Sequence, residues 1–235
     1  MSTLLLRLSG PMQSWGVESR FDARGTGLEP SRSGVIGMLA SALGLVRSDP
    51  IGRLAEIRMG VRVDRQGTIL RDYQTITYGR DNKMDGTVQS PRLYLADAEF
   101  IVGIEHSDRA WLEEMAARII RPARVLSLGR RSCLPSVPLV GGGAAGRDAI
   151  VDFPLAQALR EAKDRPGPRP LAAYRRFIIE TTADDTALIG PPDAIEIRYD
   201  RPEGRAFDST NRSVGHPRRV GIYHRAIGTV APQKG

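Results

Sequence analysis

The sequence predicts an α+β protein, and three observations carry that prediction. Apolar runs of strand length recur at 3–8 (TLLLRL), 57–64 (IRMGVRVD) and 98–106 (AEFIVGIEH). Two stretches of helical periodicity, 31–46 and 107–119, fall between and after them. Three further strand-like runs, RRFIIETT, AIEIRYD and RRVGIYHRAI, crowd the end of the chain.

Residues 3–8 read as a buried first strand, ended by Ser9-Gly10-Pro11, and a loop rich in Gly and Arg runs on to about residue 30. The helix that follows places Val35, Ile36, Leu39 and Leu43 on one face. Its start, PSRSG, offers Ser31 as a cap and then Arg32, Ser33 and Gly34. Gly34, Gly37, Ser41 and Gly44 form a second face with almost no side chain. Two compatible readings follow: close packing against another element, or a helix N-terminus open to an anion with Ser31, Arg32 and Ser33 converging on it.

Residues 57–64 alternate as a half-buried strand does, whereas 67–92 are polar and Gly-containing, with a weak strand signal at either end. A long uncommitted segment of that kind inside a domain is usually functional or mobile. A clear strand at 98–106 leads into a helix at 107–119, capped by Ser107 or Asp108, with Trp111, Leu112, Met115 and Ile119 apolar. The order β-α-β, insertion, β-α is most of a ferredoxin-like or RRM-like βαββαβ unit interrupted between its second and third strands. Beyond residue 121 the chain turns basic and turn-rich, through RPARVLSLGRRSCLPSVPL and Gly141-Gly142-Gly143. A short helix is expected at 154–163, DRPGPRP reads as a linker, and the late strands suffice for a small β-rich second domain. The expected division is 1–135, with the insertion at about 67–97, and 136–235. No internal repeat is present.

The 235 residues carry 34 Lys+Arg against 27 Asp+Glu, a net charge of +7. That balance points to a partner of opposite sign: nucleic acid, an anionic membrane or an acidic protein. Arginine supplies nearly all of it, since the lysines are Lys83, Lys163 and Lys234. A guanidinium suits phosphate and stacks on bases better than an ammonium does. A single cysteine, Cys133, leaves no internal disulfide and no thiolate metal site. The N-terminal apolar run is interrupted by Arg7 and is too short for a signal peptide or a membrane span. A cytoplasmic protein is expected.

Residues 10–27, GPMQSWGVESRFDARGTG, interleave Trp15 and Phe21 with Arg20 and Arg24. That mixture suits single-stranded nucleic acid, whose bases stack on rings and whose phosphates meet arginines. Alternatively Trp15 is a plug over the core. LGRRSC at 128–133 sets two arginines after a glycine, in a basic turn. Cys133 beside them has no neighbouring His to make it a nucleophile. His106, His216 and His224 lack metal-ligand spacing, and Gly141-Gly142-Gly143 lacks the Lys and Ser/Thr of a phosphate-binding loop. Tyr73, Tyr94, His106 and Lys83 are acid–base candidates that no spacing brings together. The case for an enzyme is poor, and no cofactor is implied.

An ordered set of motifs is more specific than any one. LLLRLSGPMQSWG, then RGTG, PSRSGVIGMLASALG, RDYQT, RLYLADAEF and LGRRSC, together spanning most of residues 3–133, resemble the CasD family. That family is the RAMP-superfamily subunit of the type I-E CRISPR surveillance complex, Cascade. The resemblance implies an RRM-like N-terminal domain with an inserted thumb-like hairpin and a smaller C-terminal β domain. It implies a subunit that caps the complex by gripping the 5′ handle of the crRNA, with the thumb against the neighbouring backbone subunit. Carried over, Ser31, Arg32 and Ser33 contact the handle, and Gln13, Trp15, Arg20, Arg24 and Thr26 line the same path. Arg92 contributes from the thumb base and Arg130 and Arg131 from the loop after the second helix. The expected partners are the crRNA, the backbone subunit and the large PAM-reading subunit, with target DNA a further candidate and no membrane. In a related subtype the corresponding subunit is a metal-free endonuclease using a Tyr, a Lys and a His; here no Lys and His lie close in sequence. The reading is a non-catalytic handle-binding and assembly subunit. The alternatives are a metal-independent precursor-crRNA endoribonuclease and a generic RRM-type RNA binder outside CRISPR.

Overall fold

Alternation along the first strand, β1 (Ser2–Ser9), sends Leu4, Leu6 and Leu8 to one face and Leu5 and Arg7 to the other. Both faces find cover. The computed structural model describes residues 1–16, 25–46, 48–80, 83–141, 149–163, 174–180, 192–200 and 216–226. The remaining strands are β2 (Met12–Gln13), β3 (Arg58–Arg65), β4 (Thr68–Arg80), β5 (Lys83–Ala96), β6 (Glu99–His106) and β7 (Ile150–Val151), then β8 (Tyr174–Glu180), β9 (Ala194–Asp200) and β10 (His216–Ala226). The helices are α1 (Arg32–Leu43), α2 (Arg109–Ile120) and α3 (Leu155–Glu161).

Seven strands form one antiparallel sheet in the order β7-β1-β6-β3-β8-β10-β9. The sheet crosses the expected boundary at residue 135, because β8 pairs directly with β3, Gly60 opposite Ile179 through Val63 opposite Arg176. On one face α1 and α2 bury Leu4, Leu6, Leu8, Val61, Phe100, Val102 and Ile104 in the main core. On the other face α3 covers Ile101, Phe177, Ile179 and Tyr223.

One paired position explains how α3 approaches so closely. Gly60 and Gly103 face each other across β3 and β6. A Cβ at Gly60 would lie 2.8 Å from Leu159 Cδ1, and one at Gly103 would lie 2.7 Å from Leu155 Cδ1. The helix is also held at both ends by groups of the sign its dipole favours. Glu105 accepts from Leu155 N–H at 2.6 Å at the start. At the end the fully buried Arg62 donates to the carbonyls of Leu159 and Ala162, while its Nε pairs with Asp64 at 2.7 Å.

Both long helices begin on sequence signals, and α1 ends on one. Ser31 Oγ accepts from Gly34 N–H and Asp108 accepts from Trp111 N–H, as N-caps do. Gly44 closes α1 in the left-handed region at φ 81°. The expected helix at 31–46 therefore stops earlier, at Leu43.

The stretch at 67–92, uncommitted by sequence, forms most of a long hairpin. β4 and β5 pair from Thr68 opposite Ala96 to Arg80 opposite Lys83, and β2 adds to the base of β5 to make a separate three-stranded sheet. Its Ile, Thr, Tyr and Val content favours extended backbone despite its polarity. Ile69, Leu70, Tyr73, Ile76 and Val88 are exposed along it.

Candidate nucleic-acid interface

The small face of α1 divides in two. At Gly34 a Cβ would come within 2.9 Å of the Trp15 ring, so the first turn of the helix packs flat on the indole. At Gly37 a Cβ would meet nothing within 4 Å. The packing reading holds for the first glycine, and the second faces open space.

That space is a groove of about 720 Å³. One wall is Ser33, Gly34, Gly37, Met38 and Ser41 of α1; the other is Arg124, Val125, Ser127, Gly129 and Arg131 of the loop after α2. No Asp or Glu lines it among the described residues. Ser33, Gly37, Arg124 and Arg131 are exposed. Its potential is therefore positive, and its walls offer hydroxyls, a bare helix backbone and guanidinium groups, the set that receives phosphates.

The loop wall is held in register with α1. Arg124 donates through both Nη atoms to the carbonyls of Leu45 and Gly44 at 3.0 Å, and Ala123 N–H donates to Ala42 O. Gly129, at φ 92°, passes so close to the Ser14 carbonyl that no side chain fits there. Ser14 N–H donates to Leu128 O at 3.0 Å. The adjacent arginines point opposite ways. Arg130 turns inward, its guanidinium 4.7 Å from the Tyr94 ring centroid and its Nη2 donating to Gly25 O, while Arg131 turns out into the groove.

Several residues expected to touch a ligand instead build this floor. Trp15 has no exposed surface, so its ring is closed to a base, and its Nε1 donates to Gln13 Oε1 at 3.1 Å. Gln13, equally buried, donates to Leu8 O and Ala98 O. Of the two readings of Trp15, the plug over the core holds. Thr26 Oγ1 accepts from Trp15 N–H at 2.8 Å and fixes the loop's return. Arg32 points away from the groove: its Nε lies 3.0 Å from Glu180, and its Nη2 donates to Ala55 O and Ile57 O. A buried guanidinium so engaged is not available to RNA phosphate.

Ser31 caps α1, leaving Ser33 and Arg131 as the two expected residues that line the groove together. Arg92 stands apart, half-buried on β5 opposite Asp72. Arg20 and Arg24 lie outside the described residues. Arg124, Gly37 and Ser41 were within reach of sequence reasoning only as members of a basic loop and a small helical face. Their meeting across a groove has no local signal.

Two of the nucleophile and acid–base candidates, Cys133 and His106, are packed into the core. Cys133 is buried, and burial pushes its thiol pKa up against the weaker opposing pull of Ser132 and Arg130. His106 is buried against Trp111, with ring centroids 4.6 Å apart, and its Nδ1 accepts from Asp108 N–H. Among the described residues no three His, Cys, Asp or Glu side chains cluster as metal ligands. No helix among them is long and apolar enough to cross a membrane.

Residues 3–220 match the family described as CRISPR-associated protein (Cas_Cas5). The CRISPR system Cascade subunit CasD of Escherichia coli K12 is 36% identical over 164 residues, covering 63% of this chain and 73% of that protein. A chain of a CRISPR RNA-guided surveillance complex superposes with a TM-score of 0.73 at 30% identity, over 95% of this chain and 90% of that one. A crystal structure of a Cas protein superposes at 0.65 and 34% identity, over 95% of each chain.

Proposed function

This chain belongs to the CRISPR-associated Cas5 family, and from that premise we propose that it is a subunit of a Cascade-type surveillance complex that binds the 5′ handle of the crRNA and anchors neighbouring subunits. The observation that carries the reading is the groove between α1 and the loop after α2, cationic and free of carboxylates among the described residues. Ser33 and Arg131 take the RNA backbone there, with Arg124 adding charge from the far end.

The strand order β7-β1-β6-β3 supports the ferredoxin-like reading of the N-terminal part, since that unit orders its strands 4-1-3-2 with both helices on one face. An RRM stacks bases on its open sheet face. Here α3 covers the corresponding face, which directs RNA to the groove instead. The β4–β5 hairpin enters between the second and third strands of the unit, as a thumb would. Its exposed Ile69, Tyr73 and Ile76 fit a neighbouring backbone subunit. The large PAM-reading subunit completes the partner set. The subunit is non-catalytic in this reading, consistent with the buried Cys133 and the packed His106.

A gel assay of the purified protein with labelled repeat RNA and mature crRNA, in EDTA, tests both parts. Shifted but intact RNA, sensitive to changes in the handle, is the expected result. A discrete cut within the repeat makes the protein a processing nuclease, and no shift removes the handle. Arg131→Ala should lower the slope of log K against log salt by about 0.7, the loss of one single-strand phosphate contact. An unchanged slope takes Arg131 off the path.

A further inference from the structure

The segment Leu28–Arg32, which delivers the chain into α1, is tied to strands far away in sequence. Glu29 Oε2 lies 3.1 Å from Arg176 Nη2, and the same Arg176 donates to Gln66 Oε1 at 2.6 Å. Gln66 Nε2 in turn donates to Leu28 O at 2.6 Å. One turn on, Arg32 Nε lies 3.0 Å from Glu180. Arg176 and Glu180 both stand on β8, so two ion pairs of opposite polarity join one short segment to one strand. Glu29 and Arg32 are buried, which shields the pairs from salt. None of the four side chains lines the groove.

Those ties precede the two residues that form the groove's entrance, Ser33 and Gly34. Gly34 is seated on Trp15, whose carbonyl accepts from Gly27 N–H at 2.6 Å. The first turn of α1 is therefore fixed from below by the indole and from behind by β8. The opposite wall is fixed independently, through Arg124 on the α1 C-terminus and Arg130 on Tyr94.

We propose that Glu29, Arg32, Arg176 and Glu180 are positioning residues for RNA binding: their two ion pairs hold the first turn of α1 at the groove's edge, so that Ser33 faces Arg131 before RNA arrives. The inference rests on the RNA-binding reading of the groove. Its physical basis is preorganisation, since a wall ordered in advance spares the complex the entropy of ordering it on binding.

The sign of a charge change separates positioning from simple electrostatics. Glu29→Gln removes a negative charge, and by field alone it should leave affinity for a polyanion unchanged or tighten it. If Glu29 positions α1, the same variant weakens binding instead.

The experiment measures binding of the full-length protein to a fluorescein-labelled single-stranded RNA carrying the repeat-derived handle, across a salt series. Glu29→Gln should raise Kd by about five- to tenfold with the salt slope unchanged, because no phosphate contact is lost. Glu29→Arg should also weaken binding. Combining it with Arg176→Glu restores the pair in reverse polarity and should return Kd to within about threefold of the parent. The swap keeps both charges and decides the matter even where the neutral variant melts below the assay temperature. Parental or tighter binding by Glu29→Gln overturns the proposal, and so does a swap no better than Glu29→Arg. Failure of the parent protein to bind RNA at any salt is a different result and removes the groove's assignment itself.

Discussion

In the seven-stranded sheet, alternate residues meet cover from this chain on either side: Leu4, Leu6 and Leu8 under α1 and α2, and Ile101 and Ile179 under α3. In β4 and β5 the same period of two leaves Ile69, Tyr73 and Ile76 exposed, with Tyr73 at 57%. Both regions have strand-forming sequence and long antiparallel registers. They differ in what the chain supplies to lie on them. A half-apolar ribbon is marginal in water without a partner for its faces. One region is finished within the chain, while the other keeps large apolar side chains at its surface.

The largest expected effect lies in the finished region. Trp15→Ala should cost about 3–5 kcal/mol in urea unfolding, because the indole is fully enclosed beneath Gly34 and holds Gln13. A cost below about 1 kcal/mol would detach residues 12–16 from the core. Gly103→Val should cost about 1–3 kcal/mol by pressing new methyl groups into Leu155 and Leu159. An unchanged midpoint would mean that α3 rides loosely on the sheet. The smallest effect on the isolated chain belongs to the hairpin, where Tyr73→Ser should shift stability by less than about 0.5 kcal/mol. The same substitution should weaken assembly with a backbone subunit in a pull-down. A large loss of stability instead would show that the hairpin is already covered by its own chain.

Local chemistry made much of this fold legible. Ser31 and Asp108 cap the helices that their positions announce, Gly44 ends α1, and the three late strands fall where their apolar runs stand. Less legible was the fate of individual polar residues. Arg32 follows a helix cap, where the free backbone N–H groups favour an anion, and nothing nearby announces that Glu180 on a distant strand will take it. Arg130 and Arg131 are identical neighbours whose opposite directions are set by Tyr94 and Gly25, residues brought in by other elements. The hairpin was hidden for another reason: its alternation is diluted by glycine and polar residues, on strands where Ile69, Tyr73, Ile76 and Val88 stay exposed. Sequence periodicity reports burial, and it fades where apolar residues stay exposed.

The insertion of β8 beside β3 has a consequence in time. Chains emerge from the ribosome N-terminus first and fold as their contacts become available. β1, α1, β3 and β6 are synthesised early, yet the charge that balances Arg32 arrives with Glu180, and the carbonyls that receive Arg62 arrive with Leu159 and Ala162. Until then Arg32 has the carbonyls of Ala55 and Ile57, Arg62 has Asp64, and the face of β3 that carries Arg62 lacks the α3 cover that later buries it. The early half of the molecule is thus held short of its final packing until the later half is made. The groove, whose first wall hangs on β8, is among the last features to reach its working shape.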